Sequence, residues 1–86
     1  MDYEKLIHSL IDDIVDDPKS VLIRISEGNT PKDIVIIIVS EKNDTARLIG
    51  HKGIIANSLR EVVGVAGKSQ NKRIHLKFES FDEEEK

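Results

Sequence analysis

The sequence of 86 residues predicts an α+β domain whose elements follow the order helix, strand, strand, helix, helix, strand. Three patterns indicate this class. Apolar side chains recur at helical spacing in residues 3–15, residues 34–39 are all Ile or Val, and residues 73–79 alternate between polar and apolar side chains. A chain of this length builds one domain around one core, which we place at residues 1–81.

The first helix is predicted from an apolar stripe at spacings of three and four, which is typical of a helix packed on a flat surface. The stripe indicates a helix of roughly 13 residues. Asp16-Asp17-Pro18 is expected to end it, because a proline disfavours the helical conformation in the residue before it. The stripe consists of Tyr3, Leu6, Ile7, Leu10, Ile11, Ile14 and Val15.

Two strands are predicted next, at residues 21–25 and 34–39, because both segments are rich in β-branched side chains. Residues 27–32, Glu-Gly-Asn-Thr-Pro-Lys, have the composition of a turn, so the two strands should pair as an antiparallel hairpin. The second strand is wholly apolar. Such a strand is buried on both faces, and we therefore expect it at the centre of the sheet.

Two helices should follow the hairpin. The first is expected to begin at Asn43 or Asp44, since either side chain is a good N-cap. Gly50 is expected to end it in a left-handed conformation, and the second helix follows Gly53 and should end at Gly67. The predicted core face of this second helix consists of Ile55, Ala56, Leu59, Val62, Val63 and Ala66.

The last strand is predicted by strict alternation in residues 73–79, Arg-Ile-His-Leu-Lys-Phe-Glu. The Ile, Leu and Phe side chains of this segment are expected to face the core. The alternating positions Arg73, His75 and Lys77 then face solvent or a ligand.

Two glycines three residues apart interrupt the helical pattern in Gly50-His51-Lys52-Gly53. Glycine inside a helix costs about 1 kcal/mol relative to alanine, so the pair indicates a backbone that a ligand approaches closely. The turn follows Ile49 and joins two helices between an apolar strand and an alternating strand. It resembles the Ile-Gly-x-x-Gly core of KH domains, and the additional helix and strand in front are similar to the type II arrangement of bacterial KH domains.

This resemblance, to the small single-domain bacterial KH RNA-binding proteins, covers about residues 3–80, with the core motif at about residues 34–79. It implies a type II KH fold, with a three-stranded mixed sheet and three helices packed on one face. It also implies a non-catalytic protein that clamps single-stranded RNA, as a post-transcriptional regulator or RNA chaperone acting with a partner. The implied partner is a second copy in a homodimer, or a larger KH-containing protein in a heterodimer.

The residues expected to bind RNA form three sets. Glycines in the loop let backbone amides and the positive end of the next helix approach phosphates, and a lysine adds a cation. The loops of KH domains clamp four nucleotides. The sets are Gly50, His51, Lys52 and Gly53 in the loop, Ile49, Ile54 and Ile55 in the base groove, and Arg47, Lys68, Lys72 and Arg73 as additional charge.

The charge distribution favours an anionic ligand although the net charge is −3. Residues 1–41 carry four Lys/Arg and nine Asp/Glu, residues 42–77 carry eight and two, and residues 78–86 carry one and five. The middle segment is therefore strongly basic, and it contains the glycine turn. The acidic residues 82–86 have nothing to bury, so we expect a disordered tail there.

Several classes of function lack support in the sequence. There is no cysteine, which removes disulfides and thiolate chemistry. His8, His51 and His75 are far apart and no serine has a nucleophile context, so we expect no enzyme, cofactor, metal ion or small-molecule substrate. No apolar run approaches the ~20 residues of a membrane span, and the N-terminus lacks a signal-peptide pattern. We therefore expect a cytoplasmic protein without membrane contact.

Two alternative functions remain open at this stage. A DNA-binding helix-turn-helix also has two helices joined by a glycine turn, although residues 54–66 offer few polar side chains for a recognition helix. A KH fold that serves as a protein-interaction adapter is the second alternative, with an acidic first helix and an exposed sheet edge as its surfaces.

Overall fold

The computed structural model describes residues 2–81, so the tail predicted at residues 82–86 lies outside the described residues. The order of the elements confirms the predicted α+β class. They are α1 (Tyr3–Ile11), β1 (Leu22–Glu27), β2 (Asp33–Ser40), α2 (Lys42–Ile49), α3 (Ile54–Ser69) and β3 (Arg73–Ser80), with 3₁₀ turns at Pro18–Ser20 and His51–Gly53. No helix in the described part of the chain has both the length and the apolar character needed to cross a bilayer.

The sheet has the order β1-β2-β3 and is mixed, as predicted. β1 pairs with β2 in antiparallel orientation, with Ile25 opposite Ile36, whereas β3 pairs with β2 in parallel orientation, with Leu76 opposite Ile36. β2 is central because its side chains are buried on both faces. Ile36 and Ile38 are buried on one face and Val39 on the other.

The three helices pack on one face of the sheet, which confirms the predicted layers. The core that they share consists mainly of aliphatic side chains. From the helices it takes Tyr3, Ile7, Ile11, Leu48, Leu59 and Val63, and from the sheet Ile36, Ile38 and Leu76. Leu48 and Leu59 anchor α2 and α3 on either side of the glycine turn, while His51 and Lys52 between them are exposed. The packing therefore presents this turn at the surface.

α1 ends at Ile11, so the prediction that Asp16-Asp17-Pro18 ends the helix is wrong. The amides of Ile14 and Val15 both donate to the carbonyl oxygen of Ile11, at 2.8 and 3.1 Å, so the chain continues in turns. Val15 is nevertheless buried in the core. The apolar spacing continues beyond the helix because residues in these turns also reach the core.

α3 continues past Gly67 to Ser69, so the predicted helix end is wrong. A Cβ atom at Gly67 would lie only 2.5 Å from Cγ1 of Ile74. This glycine therefore allows the helix to pack closely on β3, and the chain turns later, at Asn71, whose φ is 60°. Val62 was also predicted to face the core but is exposed, because it lies on the side of α3 that faces away from the sheet.

The outer edge of β3 is occupied by a side chain from α3. Nε of Arg60 donates to the carbonyl oxygen of Leu76 at 3.2 Å, and the guanidinium lies 5.5 Å from the centre of the Phe78 ring. This contact satisfies an outward-facing carbonyl group in the middle of the strand and adds a cation–π interaction. β1, the edge strand on the other side, has mostly exposed residues.

Candidate nucleic-acid interface

The glycine turn connects α2 to α3 through one 3₁₀ turn. The amide of Gly50 donates to the carbonyl oxygen of Ala46 at 2.9 Å and closes α2, and the amide of Gly53 donates to the carbonyl oxygen of Gly50 at 3.2 Å. His51 and Lys52 between the glycines are exposed. The loop therefore offers both side chains to a ligand at the start of the 16-residue helix α3.

The two glycines have different conformations. Gly50 has φ 75° and ψ 176°, a region that is essentially restricted to glycine, so the predicted left-handed conformation is wrong there. Gly53 is left-handed, with φ 79° and ψ 14°. A Cβ atom at Gly50 would lie 2.8 Å from Cγ1 of Ile55, whereas one at Gly53 would meet only Nδ2 of Asn57, at 3.9 Å. Gly50 thus permits internal packing, and Gly53 leaves open space at the start of α3.

Lys52 has a left-handed backbone, with φ 57° and ψ 23°. This conformation costs about 1–2 kcal/mol for a residue other than glycine, so the fold holds the lysine in a position that its backbone does not favour. Within the described part of the chain Lys52 forms no ion pair, and its ammonium group remains available to an anion.

The predicted groove residues differ in exposure. Ile49 and Ile54, which flank the loop on the two helices, are 39% and 61% exposed. Ile55 instead packs against the core and against Gly50. The structure thus brings Ile49 and Ile54 to the surface beside the loop, while Ile55 supports the loop from inside.

Arg47 is tied to acidic side chains rather than left free. Its Nη1 atom lies 2.9 Å from Asp44 Oδ1 and 3.0 Å from Asp16 Oδ2. Asp44 is buried and also accepts from the amides of Asp16 and Asp17, at 2.8 and 3.1 Å. These donors, the Asp16 amide foremost, hold the pKa of Asp44 below its usual value despite burial. The network fastens α2 to the segment between α1 and β1.

This network corrects the predicted N-cap. Glu41, not Asn43 or Asp44, occupies the N-cap position of α2, and its side chain makes no capping hydrogen bond. Asp44 lies in the first turn of the helix, where a carboxylate is favoured by the helix dipole. Its oxygens accept from a distant segment, because the buried carboxylate needs several donors to offset its desolvation.

The second predicted cation group lies at the opposite end of α3. From Gly53 to Lys68 the helix rises by about 22 Å, so Lys68, Lys72 and Arg73 are not part of the loop site. Sequence reasoning missed Lys32, which the β1–β2 turn brings beside them. The parallel pairing of β2 with β3 is responsible, because it places the first residues of both strands side by side.

Asp33 connects the residues beside this second cation group through its hydrogen bonds and an ion pair. Its buried carboxylate accepts from the hydroxyl of Thr30 at 2.9 Å, lies 3.2 Å from Nε2 of His75 and pairs with Nε of Arg73 at 3.0 Å. The hydrogen bond with His75, followed by that with Thr30, holds the pKa of Asp33 below its usual range. In the sequence, Asp33 stands between the predicted turn at residues 27–32 and the predicted strand at residues 34–39, and nothing local signals its partners.

Comparisons with known proteins identify the family of this chain. The model of the KhpA/KhpB KH domain matches residues 4–78. RNA-binding protein KhpA of Listeria monocytogenes is 34% identical over 75 residues, which cover 87% of this chain and 96% of the relative. RNA-binding protein KhpA of Bacillus subtilis is 33% identical over 79 residues, covering 92% and 93%. No solved structure matches the chain significantly. The chain therefore belongs to the KhpA/KhpB family of KH domains, which confirms the predicted resemblance.

Proposed function

We propose that this protein binds single-stranded RNA without catalysis and clamps its backbone at the loop from Gly50 to Gly53. The observation that carries the proposal is the exposed loop, with the unpaired cation Lys52, placed between α2 and α3 of a KH-family fold. The relatives from Listeria and Bacillus are named RNA-binding proteins. The proposal includes action in the cytoplasm as a post-transcriptional regulator or RNA chaperone.

The geometry suggests how the clamp works. Open space beside Gly53 lets a phosphate approach the first amides of α3, where the helix dipole favours negative charge. Lys52 adds a point charge beside the same phosphate. Ile49 and Ile54, both exposed, offer apolar contact to the bases.

The arrangement of α3 argues against duplex DNA as the ligand. A recognition helix needs free polar side chains for base edges, yet the guanidinium of Arg60 is already engaged by Leu76 and Phe78. We expect unlabelled single-stranded RNA to displace a labelled RNA oligonucleotide at concentrations at which duplex DNA of the same length does not. Fluorescence anisotropy measures this competition, and equal displacement by the duplex would reject the single-strand assignment.

We also propose that a second copy of the chain docks on the outer face of α3. Val62 and Val65 are 48% and 66% exposed there, and a Cβ atom at Gly64 between them would meet nothing within 4 Å, so another helix can approach closely. Two α3 helices packed antiparallel about Gly64 would bring these valines of both copies together across a two-fold axis. This apolar contact favours a homodimer, and a heterodimer with a larger KH-containing protein would use the same face.

The double variant V62E/V65E is expected to be monomeric at concentrations at which the unmodified chain is dimeric, because charges on this face repel across a two-fold axis. Analytical ultracentrifugation measures the change. The matched control is L22E/I25E, which alters two apolar side chains of β1 with similar exposure. Dissociation by the control alone would show that β1, and not α3, forms the dimer.

A further inference from the structure

The end of α3 farthest from the loop borders a hollow of about 390 Å³ that carries a concentrated positive charge. Three separate segments build it: the β1–β2 turn, the last turn of α3 and the connection from α3 to β3. Its lining consists of Lys32, Lys68, Asn71, Lys72 and Arg73. Four of these five side chains are cations and none is a carboxylate, which is an unusual concentration for a chain with a net charge of −3.

Two of the cations are held in place by the fold. Nζ of Lys72 donates to the carbonyl oxygen of Pro31 at 2.9 Å, and Nε of Arg73 pairs with Asp33 at 3.0 Å. The amide of Arg73 donates to the carbonyl oxygen of Lys32 at 2.8 Å, which joins the two strand starts that border the hollow. The hollow is therefore a feature of the sheet itself and not a chance approach of mobile lysines.

The other two cations are uncompensated. The ammonium groups of Lys32 and Lys68 have no hydrogen bond or ion pair within residues 2–81. The carboxylate of Asp33, at the start of β2, is buried and already shared between Arg73 and His75. The negative end of the α3 dipole, in the turn of Lys68, offsets part of this charge. Its influence is equivalent to roughly half a charge, so a strong positive field remains in the hollow.

We infer that this hollow is a second phosphate-binding site, which takes backbone phosphates of the same RNA strand that the loop holds. The inference rests on the proposed function. Because the hollow and the loop are separated by about 22 Å along α3, an RNA of the length held by one KH loop cannot reach both. A longer strand can, and it should bind more tightly and with a steeper dependence on salt.

The test compares the double variant K32E/K72E with the unmodified protein, using oligouridylates of about four and about 16 nucleotides. Both positions lie off α3, so the proposed dimer face is unchanged. For the long RNA we expect affinity to fall roughly tenfold, and the slope of log K against log salt to decrease by about 1.4, since each contact with a single strand contributes about 0.7. Affinity for the short RNA should change less than twofold.

The control variant K5E/K19E makes the same change of charge on α1 and on the 3₁₀ turn Pro18–Ser20, and should leave both affinities close to those of the unmodified protein. An equal loss for both RNA lengths, or no loss for the long RNA, would overturn the second site. K52D separates the two proposals. If K52D leaves binding of both RNAs intact while K32E/K72E abolishes binding of the long RNA, the loop assignment fails and the hollow stands.

Discussion

Replacing Lys52 by aspartate is expected to weaken binding of single-stranded RNA roughly tenfold or more at about 0.1 M salt. The change removes the unpaired cation of the loop and introduces a charge that repels the phosphate which the start of α3 attracts. Aspartate tolerates a left-handed backbone, and position 52 is exposed, so the fold should persist. Fluorescence anisotropy with a short oligouridylate measures the loss.

Lys19→Asp provides the matched control for this experiment, because it makes the same change of charge at an exposed position on the 3₁₀ turn Pro18–Ser20. The control should bind RNA within twofold of the unmodified protein. Circular dichroism verifies that both variants are folded. A folded Lys52→Asp variant with undiminished affinity would mean that the loop does not hold the phosphate.

The two glycines of the loop are expected to differ sharply in their contribution to stability. Gly50→Ala should lower the free energy of unfolding by about 3 kcal/mol, because alanine does not favour φ 75° with ψ 176° and its methyl group would press against Ile55. A loss of this size corresponds to a melting temperature roughly 12–24 °C lower in a domain of this length. Thermal and urea unfolding, followed by circular dichroism, measure it.

Gly53→Ala should cost only about 1 kcal/mol, since its left-handed backbone is accessible at modest cost and open space surrounds the added methyl group. Gly53→Asn should cost less still, because asparagine tolerates this conformation. In Gly53→Ala the added methyl group also narrows the space through which a phosphate reaches the amides of α3, so RNA affinity should fall although the protein stays folded. Equal destabilisation at positions 50 and 53 would contradict the packing role assigned to Gly50.

Much of the fold follows from local patterns in the sequence. The apolar run of residues 34–39 correctly indicated a central strand, and the alternation of residues 73–79 correctly indicated a strand with one buried face. The ends of the helices could not be predicted from local patterns, because contacts with distant residues determine where a helix ends. Gly67 looks like a helix end in isolation, and only its approach to Ile74 shows that it lies inside the helix.

In the candidate site, too, some features could be predicted from local sequence and others could not. The loop is a local motif, so its position between two helices could be predicted from neighbouring residues alone. The contacts of Arg47 could not be predicted in this way, because its partners Asp16 and Asp44 are 28 positions apart in sequence and meet only after folding. Likewise, Lys32 and Lys72 line the same hollow because β2 and β3 pair in parallel from their first residues, and no spacing in the sequence indicates that the two lysines are neighbours.

The contact between Arg60 and the edge of β3 bears on whether the sheets of neighbouring copies can join in series. Continuous growth of a sheet from copy to copy requires that each copy offer two open edges. With its central carbonyl group at Leu76 already bonded, β3 resists an incoming strand, and the guanidinium over Phe78 adds charge and bulk at that margin. Among the described strands, β1 is then the one open edge of the sheet. Two copies that paired there would use up both of these edges, so pairing of sheets alone would stop at two copies.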